Sequence, residues 1–310
     1  MPLSDADQTC LDFRLTISPT ARVFAYDLPV GRVHHFNVRE RHLELKISAE
    51  SLVVTQSSNP FAQLQLVTDD TDFYARPDVR QKYYEYLQPT RRVPFASETD
   101  RIATVARKQA GIGTASMLIA LTRLLHRAFS YSPGSTTVNT SLQQVLENKQ
   151  GVCQDFAHMM LSVCRKQGIP ARYVSGYLYT GEQEPSSASE TNTGRRADDQ
   201  HSGGSSEGSS PNGMNNGMSS AVASATSSRE DEAKGLVSGN AMHAWVECLM
   251  PDERWSGFDP TNNMVTNDFY VKVHHGRDYG DVLPVRGLYR GPFAHTLDVS
   301  VHVLREEDRQ

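Results

Sequence analysis

The 310-residue sequence predicts an α+β fold, in which a small antiparallel β domain over residues 1–72 precedes a larger mixed domain over residues 73–310. Apolar and polar residues alternate in the first region, for example from Leu11 to Ile17, which is the period of a strand with one buried face. In the second region apolar residues recur every three or four positions, which is the period of an amphipathic helix. Short apolar runs that follow these helical segments predict further strands.

The individual elements follow from the same local patterns. Strands of the β domain are predicted at residues 11–18, 33–38, 43–47 and 52–54, with turns at 29–31 and 59–60. Helices of the larger domain are predicted at residues 115–129, 141–148 and 151–168, and strands at 171–180, 244–249, 255–258 and 297–303. Gly168 and Pro170 are typical of the end of the third helix.

Residues 182–238 differ from the rest of the chain because they contain no Phe, Tyr, Trp or Ile and are rich in Ser, Gly, Asn, Asp and Glu. Such a segment cannot bury enough apolar surface to offset the entropy lost on ordering. We therefore predict a disordered insertion between two strands. A tolerated loop expansion is favoured over a regulated lid or a partner-binding tail.

Composition excludes several classes of protein. The net charge of -5 and the pI near 6.1 do not favour recruitment to nucleic acid or to an anionic membrane. No stretch reaches the roughly 18 apolar residues of a membrane-spanning helix, and the acidic start does not resemble a secretory signal. We expect a cytoplasmic protein that binds neither nucleic acid nor membrane. Its oligomeric state does not follow from the sequence.

The four cysteines, Cys10, Cys153, Cys164 and Cys248, show no C-x-x-C spacing. In a cytoplasmic protein they are expected to stay reduced. A structural zinc site needs ligands paired at short spacing, and adjacent histidines such as those at 274–275 face opposite sides of a strand. The sequence therefore predicts no metal and no cofactor.

Cys153 differs from the other cysteines because it follows a glycine at the predicted start of a helix. A thiol there feels the positive end of the helix dipole, which favours the nucleophilic thiolate. His243 opens one predicted strand and Asp259 closes the next, so a hairpin would bring the two side chains together. Nucleophile, base and orienting carboxylate are the groups that cysteine acyl transfer requires. Without the insertion, only 33 residues separate Cys153 from His243.

Three sequence blocks carry a family resemblance: GVCQDFAHMMLSVCRKQGIPARYVSGYL, AMHAWVECLMPDERWSGFDPTNN and GRDYGDVLPVRGLYRGP. They resemble the transglutaminase-like superfamily, specifically its bacterial branch with an N-terminal β domain. The resemblance implies a papain-like core, with a helix bearing Cys153 packed on an antiparallel sheet bearing His243 and Asp259. Two features depart from the family pattern: the insertion is unusually long, and the β domain lacks the usual first strands, as in a truncated or divergent start.

Several residues near the three central ones are candidates for supporting roles. The backbone N–H of Cys153 is the natural first donor to an oxyanion, with Tyr131 or Gln154 as oxyanion or pocket residues. Trp245 is two residues past His243 and is either a pocket wall or a core aromatic. Asp155 and His158 are three residues apart on the helix, where they either support the site from behind or form a local pair.

These residues predict a cysteine enzyme that forms a thioester at Cys153 from a protein or peptide amide. The acyl group then passes to water, as in a protease or amidase, or to an amine acceptor, as in a transglutaminase. We favour hydrolysis, because a shared fold does not imply a shared activity. Two alternatives remain open: a non-catalytic papain-like scaffold that binds protein or peptide, and a redox-sensing thiol protein.

Overall fold

A computed structural model describes residues 1–28, 30–56, 59–64, 72–181, 189–190, 236, 242–291 and 296–306. The strands are β1 Gln8–Ser18, β2 Val23–Leu28, β3 Gly31–Phe36, β4 Lys46–Thr55, β5 Ser130–Tyr131, β6 Gln150–Gly151, β7 Ala171–Leu178, β8 Ser189–Glu190, β9 His243–Leu249, β10 Trp255–Asp259, β11 Met264–Val265, β12 Tyr270–Gly276 and β13 Leu297–Asp298. The α-helices are α1 Pro60–Leu64, α2 Pro77–Lys82, α3 Ser97–Gln109, α4 Thr114–Ala128, α5 Leu142–Asn148 and α6 Cys153–Lys166. Within these ranges, no helix is long and apolar enough to cross a membrane.

The centre of the fold is helix α6, which packs against a five-stranded antiparallel sheet with the strand order β11-β10-β9-β7-β12. Twelve of its 14 residues are buried, because α3 and α4 cover the sides that the sheet leaves free. Its apolar residues join those of the inner sheet face in the main core. The helix ends where Gly168 adopts a positive φ of 79°.

A smaller core lies on the opposite face of the sheet. Its members are all large apolar or aromatic residues: Val174, Leu178, Tyr179, Trp245, Phe269 and Tyr270. Gly176 on β7 permits this packing, because a Cβ at that position would lie 2.1 Å from the Val271 carbonyl oxygen and 2.6 Å from the Trp245 ring. The glycine thus lets Trp245 and β12 approach the same point of β7.

The N-terminal region forms two antiparallel pairs, β1 with β4 and β2 with β3. A bulge in β1 leaves Leu11 outside the ladder, since Cys10 pairs with Val53 and Asp12 pairs with Leu52. Leu11 is 60% exposed as a result, whereas Ile17 at the other end of the strand is buried. The predicted alternation of buried and exposed residues therefore holds for only part of this strand.

A buried polar network joins the N-terminal region to the central sheet. The Gln8 side chain donates to the Lys272 carbonyl at 2.7 Å and accepts from the Lys272 N–H at 2.7 Å, as a strand partner would. The Lys272 ammonium pairs with Asp5 at 2.6 Å and with Glu247 at 2.5 Å, and Arg172 donates to Glu247 at 2.6 Å. Burial raises the pKa of Glu247, but the two cations outweigh it and lower the pKa overall.

The three predicted helices are present within one or two residues of their expected bounds, and so are the strands at β7, β9 and β10. The last predicted strand is wrong over most of its length: only Leu297–Asp298 is extended, paired with β8. The strand predicted at residues 43–47 is wrong at its start, since β4 begins only at Lys46 and Leu43 is fully exposed.

The elements β2, α3 and β12 were not predicted. The β2 strand is mostly exposed and β12 carries Lys272, His274 and His275, so neither shows a continuous apolar face. The predicted disordered insertion at 182–238 lies outside the described residues, apart from positions 189–190 and 236. The division at residue 72 stays a prediction.

We expect Gln8→Ala to destabilise the protein by about 1–3 kcal/mol, because it leaves the buried Lys272 N–H without its acceptor. It also removes one of the two donors to the Lys272 carbonyl, the other being the Leu3 N–H. Urea unfolding followed by circular dichroism measures the change. Thr9→Ala, at the exposed neighbouring position, is the matched control and should stay close to wild type. Equal stability of the two variants would contradict the proposed attachment of the N-terminal region through Gln8.

Candidate active site

Cys153 is the first residue of α6 and is 8% exposed. Asp155 holds the segment that leads to it, because its carboxylate accepts hydrogen bonds from the Val152 N–H at 2.8 Å and from the Thr136 hydroxyl at 2.6 Å. A Cβ at Gly151 would lie 2.7 Å from Asp155 Oδ2, so the side chain of Asp155 occupies the space that the glycine leaves open. The Gly-Val-Cys sequence thus turns tightly into the helix.

His243 is the first residue of β9 and is 1% exposed. Its Nε2 atom donates to Asp259 Oδ2 at 2.7 Å. Its ring stacks on Trp245 and packs against Tyr270, with ring centroids 6.2 and 6.1 Å away. The other ring nitrogen, Nδ1, is buried without a hydrogen-bond partner among the residues that the structure describes. A buried polar nitrogen without a partner is costly, so this atom is a candidate for a chemical role.

Asp259 ends β10 and is completely buried. Within the part of the chain that the structure describes, its carboxylate accepts five hydrogen bonds. His243, the Asn262 side chain at 2.7 Å and the Tyr270 hydroxyl at 2.8 Å donate to Oδ2, and the N–H groups of Thr261 and Asn262 donate to Oδ1. His126 on α4 supports the same turn, since its Nδ1 donates to the Thr261 carbonyl at 2.8 Å. These bonds compensate for the removal of the carboxylate from water.

The electrostatics favour a charged His243–Asp259 pair. Burial by itself lowers the pKa of His243, but the Asp259 carboxylate and the adjacent Cys153 outweigh it and raise the pKa to about 10. Burial raises the pKa of Asp259, and the imidazolium with the other donors lowers it below the usual value. The imidazole is therefore protonated at neutral pH. Cys153 is therefore one of the groups whose charge acts on the His243 ring.

Tyr131 and Gln154 lie on either side of the cysteine along the chain. Tyr131 pairs with Gly151 through the parallel strands β5 and β6, two residues before Cys153. Burial, with the charge of Cys153 added, raises the pKa of Tyr131 to about 12. The phenol is thus protonated and can donate. Gln154 is half-buried in the first turn of α6, and its expected pocket role stays a prediction.

The remaining predicted residues lie behind the site. Trp245 is 2% exposed in the smaller core, so it packs against the His243 ring as a core aromatic. His158 accepts from the Tyr279 N–H at 3.3 Å and packs on Tyr173, and burial lowers the pKa of His158 to about 3. His158 is therefore neutral. Asp155 bonds to the residues before the helix, and its expected supporting role, with that of His158, stays a prediction.

Tyr270 and Asn262 are site residues that the sequence analysis missed. Asn262 lies in the matched block after Asp259, and an Asx-type turn after an aspartate was a usable signal. Tyr270 opens a strand that was not predicted, and its contact with Asp259 depends on the pairing of β12 with β7. No local pattern marks that long-range contact.

Comparison with known proteins agrees with this arrangement. Residues 103–260, about half of the chain, match the family profile of the transglutaminase-like superfamily, and this segment contains Cys153, His243 and Asp259. This chain belongs to the transglutaminase-like superfamily. Residues 1–54 match the bacterial transglutaminase-like N-terminal region. The family and the fold expected from the sequence are confirmed.

Several related proteins match nearly all of this chain. An uncharacterized protein of Mycobacterium leprae is 30% identical over 98% of this chain and 89% of its own length. An uncharacterized protein of Mycobacterium tuberculosis is 27% identical over 98% of this chain and 84% of its own. A crystal structure from Cytophaga hutchinsonii, described as a candidate cysteine protease, has a TM-score of 0.58 and 21% identity, covering 98% of this chain and 84% of that one. This last likeness shows the common fold.

The His243–Asp259 pair predicts a pH-dependent stability. The raised pKa of His243 contributes stability that is complete below about pH 6.5 and is lost as the pH rises through about 10. The lowered pKa of Asp259 contributes stability that is complete above the ordinary pKa of an aspartate. This stability is lost as the pH falls through the lower pKa of the folded state. We expect Asp259→Asn to be less stable than wild type by about 3–5 kcal/mol near pH 7, since one partner of a buried pair is removed.

The difference in the free energy of unfolding between wild type and Asp259→Asn should become smaller as the pH rises through about 10, because the His243 ring then loses its charge. Urea unfolding at pH 6, 8 and 10 measures it. The matched control is Asp252→Asn, which removes a carboxylate from an exposed pair with Arg254 and should stay near wild type throughout. A difference that is constant over this range would contradict the charged pair.

Proposed function

We propose that this protein is a cysteine acyl-transfer enzyme that forms a thioester at Cys153 from a protein or peptide amide, with His243 as acid and base and Asp259 as orienting carboxylate. The observation that carries the proposal is the difference between the surroundings of the two imidazole nitrogens of His243. Nε2 is bound to a fully buried carboxylate, and Nδ1 has no hydrogen-bond partner among the described residues. Cys153 is one of the groups that raise the pKa of this ring. Buried polar atoms usually have a hydrogen-bond partner, so an open Nδ1 on a ring whose Nε2 is held by a carboxylate supports a role in proton transfer.

The chemistry follows from the proton on His243. The Cys153 sulfur attacks the amide carbon, so that a C–S bond forms and the carbonyl oxygen becomes an oxyanion. When this intermediate collapses, the C–N bond breaks and the imidazolium passes its proton to the leaving amine. In the second half-reaction, water or an amine loses a proton to the neutral imidazole and attacks the thioester. The C–S bond then breaks and the thiolate–imidazolium pair is restored.

Stabilisation of the oxyanion is assigned to the start of α6. The Cys153 N–H is one of the first N–H groups of the helix, which have no acceptor inside it. Tyr131 is the proposed second donor, because its strand pairs with the residue two positions before Cys153 and its raised pKa keeps the hydroxyl protonated. Loss of one such donor typically costs about 10²–10³ in kcat.

The acyl acceptor is proposed to be water, so that the enzyme is a hydrolase of peptide or protein amides. The catalytic groups are shared by hydrolysis and by transfer to an amine, and they do not favour either one. If the acceptor were an amine, millimolar amine would accelerate breakdown of the thioester and produce the amide product. Hydrolysis predicts that added amine leaves this rate unchanged.

We expect iodoacetamide to alkylate Cys153 rapidly at pH 6 in wild type, below the ordinary thiol pKa of about 8.5, and His243→Ala to abolish this rapid reaction. In the proposed mechanism the imidazolium of His243 is the group that favours the nucleophilic form of the thiol. Intact-mass spectrometry at pH 5–9, followed by peptide mapping, measures the reaction. Cys164 and Cys248, both fully buried, provide an internal reference within each sample.

His35→Ala removes an exposed histidine of the N-terminal region and is the matched control, expected to react as wild type. A Cys153 that reacts as slowly as Cys164 in wild type would contradict the proposed function. It would favour the alternative of a papain-like scaffold that only binds protein or peptide.

A further inference from the structure

Tyr270 belongs to the smaller core of the sheet, and its hydroxyl reaches the carboxylate of the proposed site. Its hydroxyl donates to Asp259 Oδ2 at 2.8 Å, the same oxygen that His243 contacts at 2.7 Å. Tyr270 is 5% exposed, and it lies ten residues beyond the segment that matches the transglutaminase-like core profile. The core profile therefore does not include this residue.

The hydroxyl of Tyr270 is fixed by rigid surroundings. Its ring packs edge-on against Trp245, with ring centroids 5.3 Å apart, inside the smaller core. The same strand is held two residues later, where Lys272 bonds to Gln8, Asp5 and Glu247. Because both the ring and the strand are held, the hydroxyl keeps its distance from Asp259 without cost in side-chain entropy at each turnover.

We propose that Tyr270 is a positioning residue that acts through Asp259, drawing part of the carboxylate's charge away from His243 so that the imidazole can release its proton in the second half-reaction. This inference rests on the proposed thioester chemistry. That chemistry makes opposite demands on His243: a proton must be given to the leaving amine, and then a neutral ring must accept one from water. A carboxylate bonded to the imidazole alone would hold the proton too firmly for the second step.

The direction of the effect follows from the groups that face the pair. Asp259 on β10 and Cys153 on α6 both raise the pKa of His243, against the effect of burial. Tyr270 on β12 and the uncharged Asn262 both donate to Asp259, and their bonds lower the pKa of the carboxyl group. Removing the Tyr270 donor leaves more negative charge at the atom that contacts His243. The pKa of His243 should therefore rise.

The test compares Tyr270→Phe with Tyr177→Phe, which removes a hydroxyl from a half-buried tyrosine on the neighbouring strand β7. 4-Nitrophenyl acetate is used to acetylate Cys153, and intact-mass spectrometry follows decay of the acetyl-enzyme from pH 6 to 11. Acetylation removes the Cys153 charge, one of the causes of the raised pKa of His243, so the midpoint should lie below the pKa of about 10 in the free enzyme. For Tyr270→Phe we expect the midpoint of the rate profile to rise by about one pH unit, with about tenfold slower decay below the midpoint. The plateau at high pH should be retained, and Tyr177→Phe should match wild type.

A lower plateau with an unchanged midpoint would overturn the inference, since it would mean a structural role only. Asn262→Ala removes the other side-chain donor to the same oxygen and should shift the midpoint in the same direction. It keeps the inference testable if Tyr270→Phe does not fold.

A second readout separates this inference from the proposed function. The titration of the His243 ring is followed by nitrogen-15 NMR in Cys153→Ala and in Cys153→Ala/Tyr270→Phe, where no acylation is needed. An upward shift of about one unit supports the role of Tyr270, and equal midpoints overturn it. Failure of wild type to form an acetyl-enzyme would instead contradict the proposed function, whatever the titration shows.

Discussion

The hydrogen bond between His243 and Asp259 is the interaction on which the organisation of the catalytic region depends. A carboxylate with no exposed surface is stable in a protein only when its charge is balanced and its oxygens are bonded. The chain meets this requirement with donors from the turn after β10, from β12 and from β9. Three separate segments must therefore meet at one point, and the five-stranded antiparallel sheet is the arrangement that brings them together.

The same requirement connects the N-terminal region to the site. Strand β12 carries Tyr270 towards Asp259 and, two residues later, Lys272 towards Asp5 and Glu247. Glu247 is itself on β9, four residues after His243. Strand β9, which carries the imidazole, and strand β12, which carries Tyr270, are thus cross-linked by a second buried ion cluster. The N-terminal region is attached to that cluster through Gln8, so it is bound to the edge strand β12 of the sheet.

Much of this arrangement could be predicted from the sequence because its signals are local. The helix of Cys153 shows a clear three- and four-residue period, and the strands of His243 and Asp259 are short apolar runs that form a hairpin. The resemblance of three sequence blocks to one family supplied the papain-like arrangement. The juxtaposition of His243 and Asp259 was expected, and their 2.7 Å hydrogen bond agrees with it.

The parts that were missed depend on long-range pairing. Tyr270 is an ordinary aromatic in the sequence, and only the alignment of β12 beside β7 turns it towards Asp259. The final predicted strand failed for the opposite reason: an alternating pattern needs a partner strand to become a sheet, and here only Leu297 and Asp298 have one. Tertiary context decided both cases.

The connection between β7 and β9 has a consequence for how this chain tolerates change. The two strands are direct neighbours, and their register, with Gly176 opposite His243, is set by pairing and by the packing of Trp245 over the glycine. The length of chain that joins them therefore has little influence on where the histidine lies. Loop-closure entropy grows only as the logarithm of loop length, by about 0.6 kcal/mol per doubling. Segments of very different length can thus be accommodated beside the imidazole, and this junction is a natural place for related proteins to diverge.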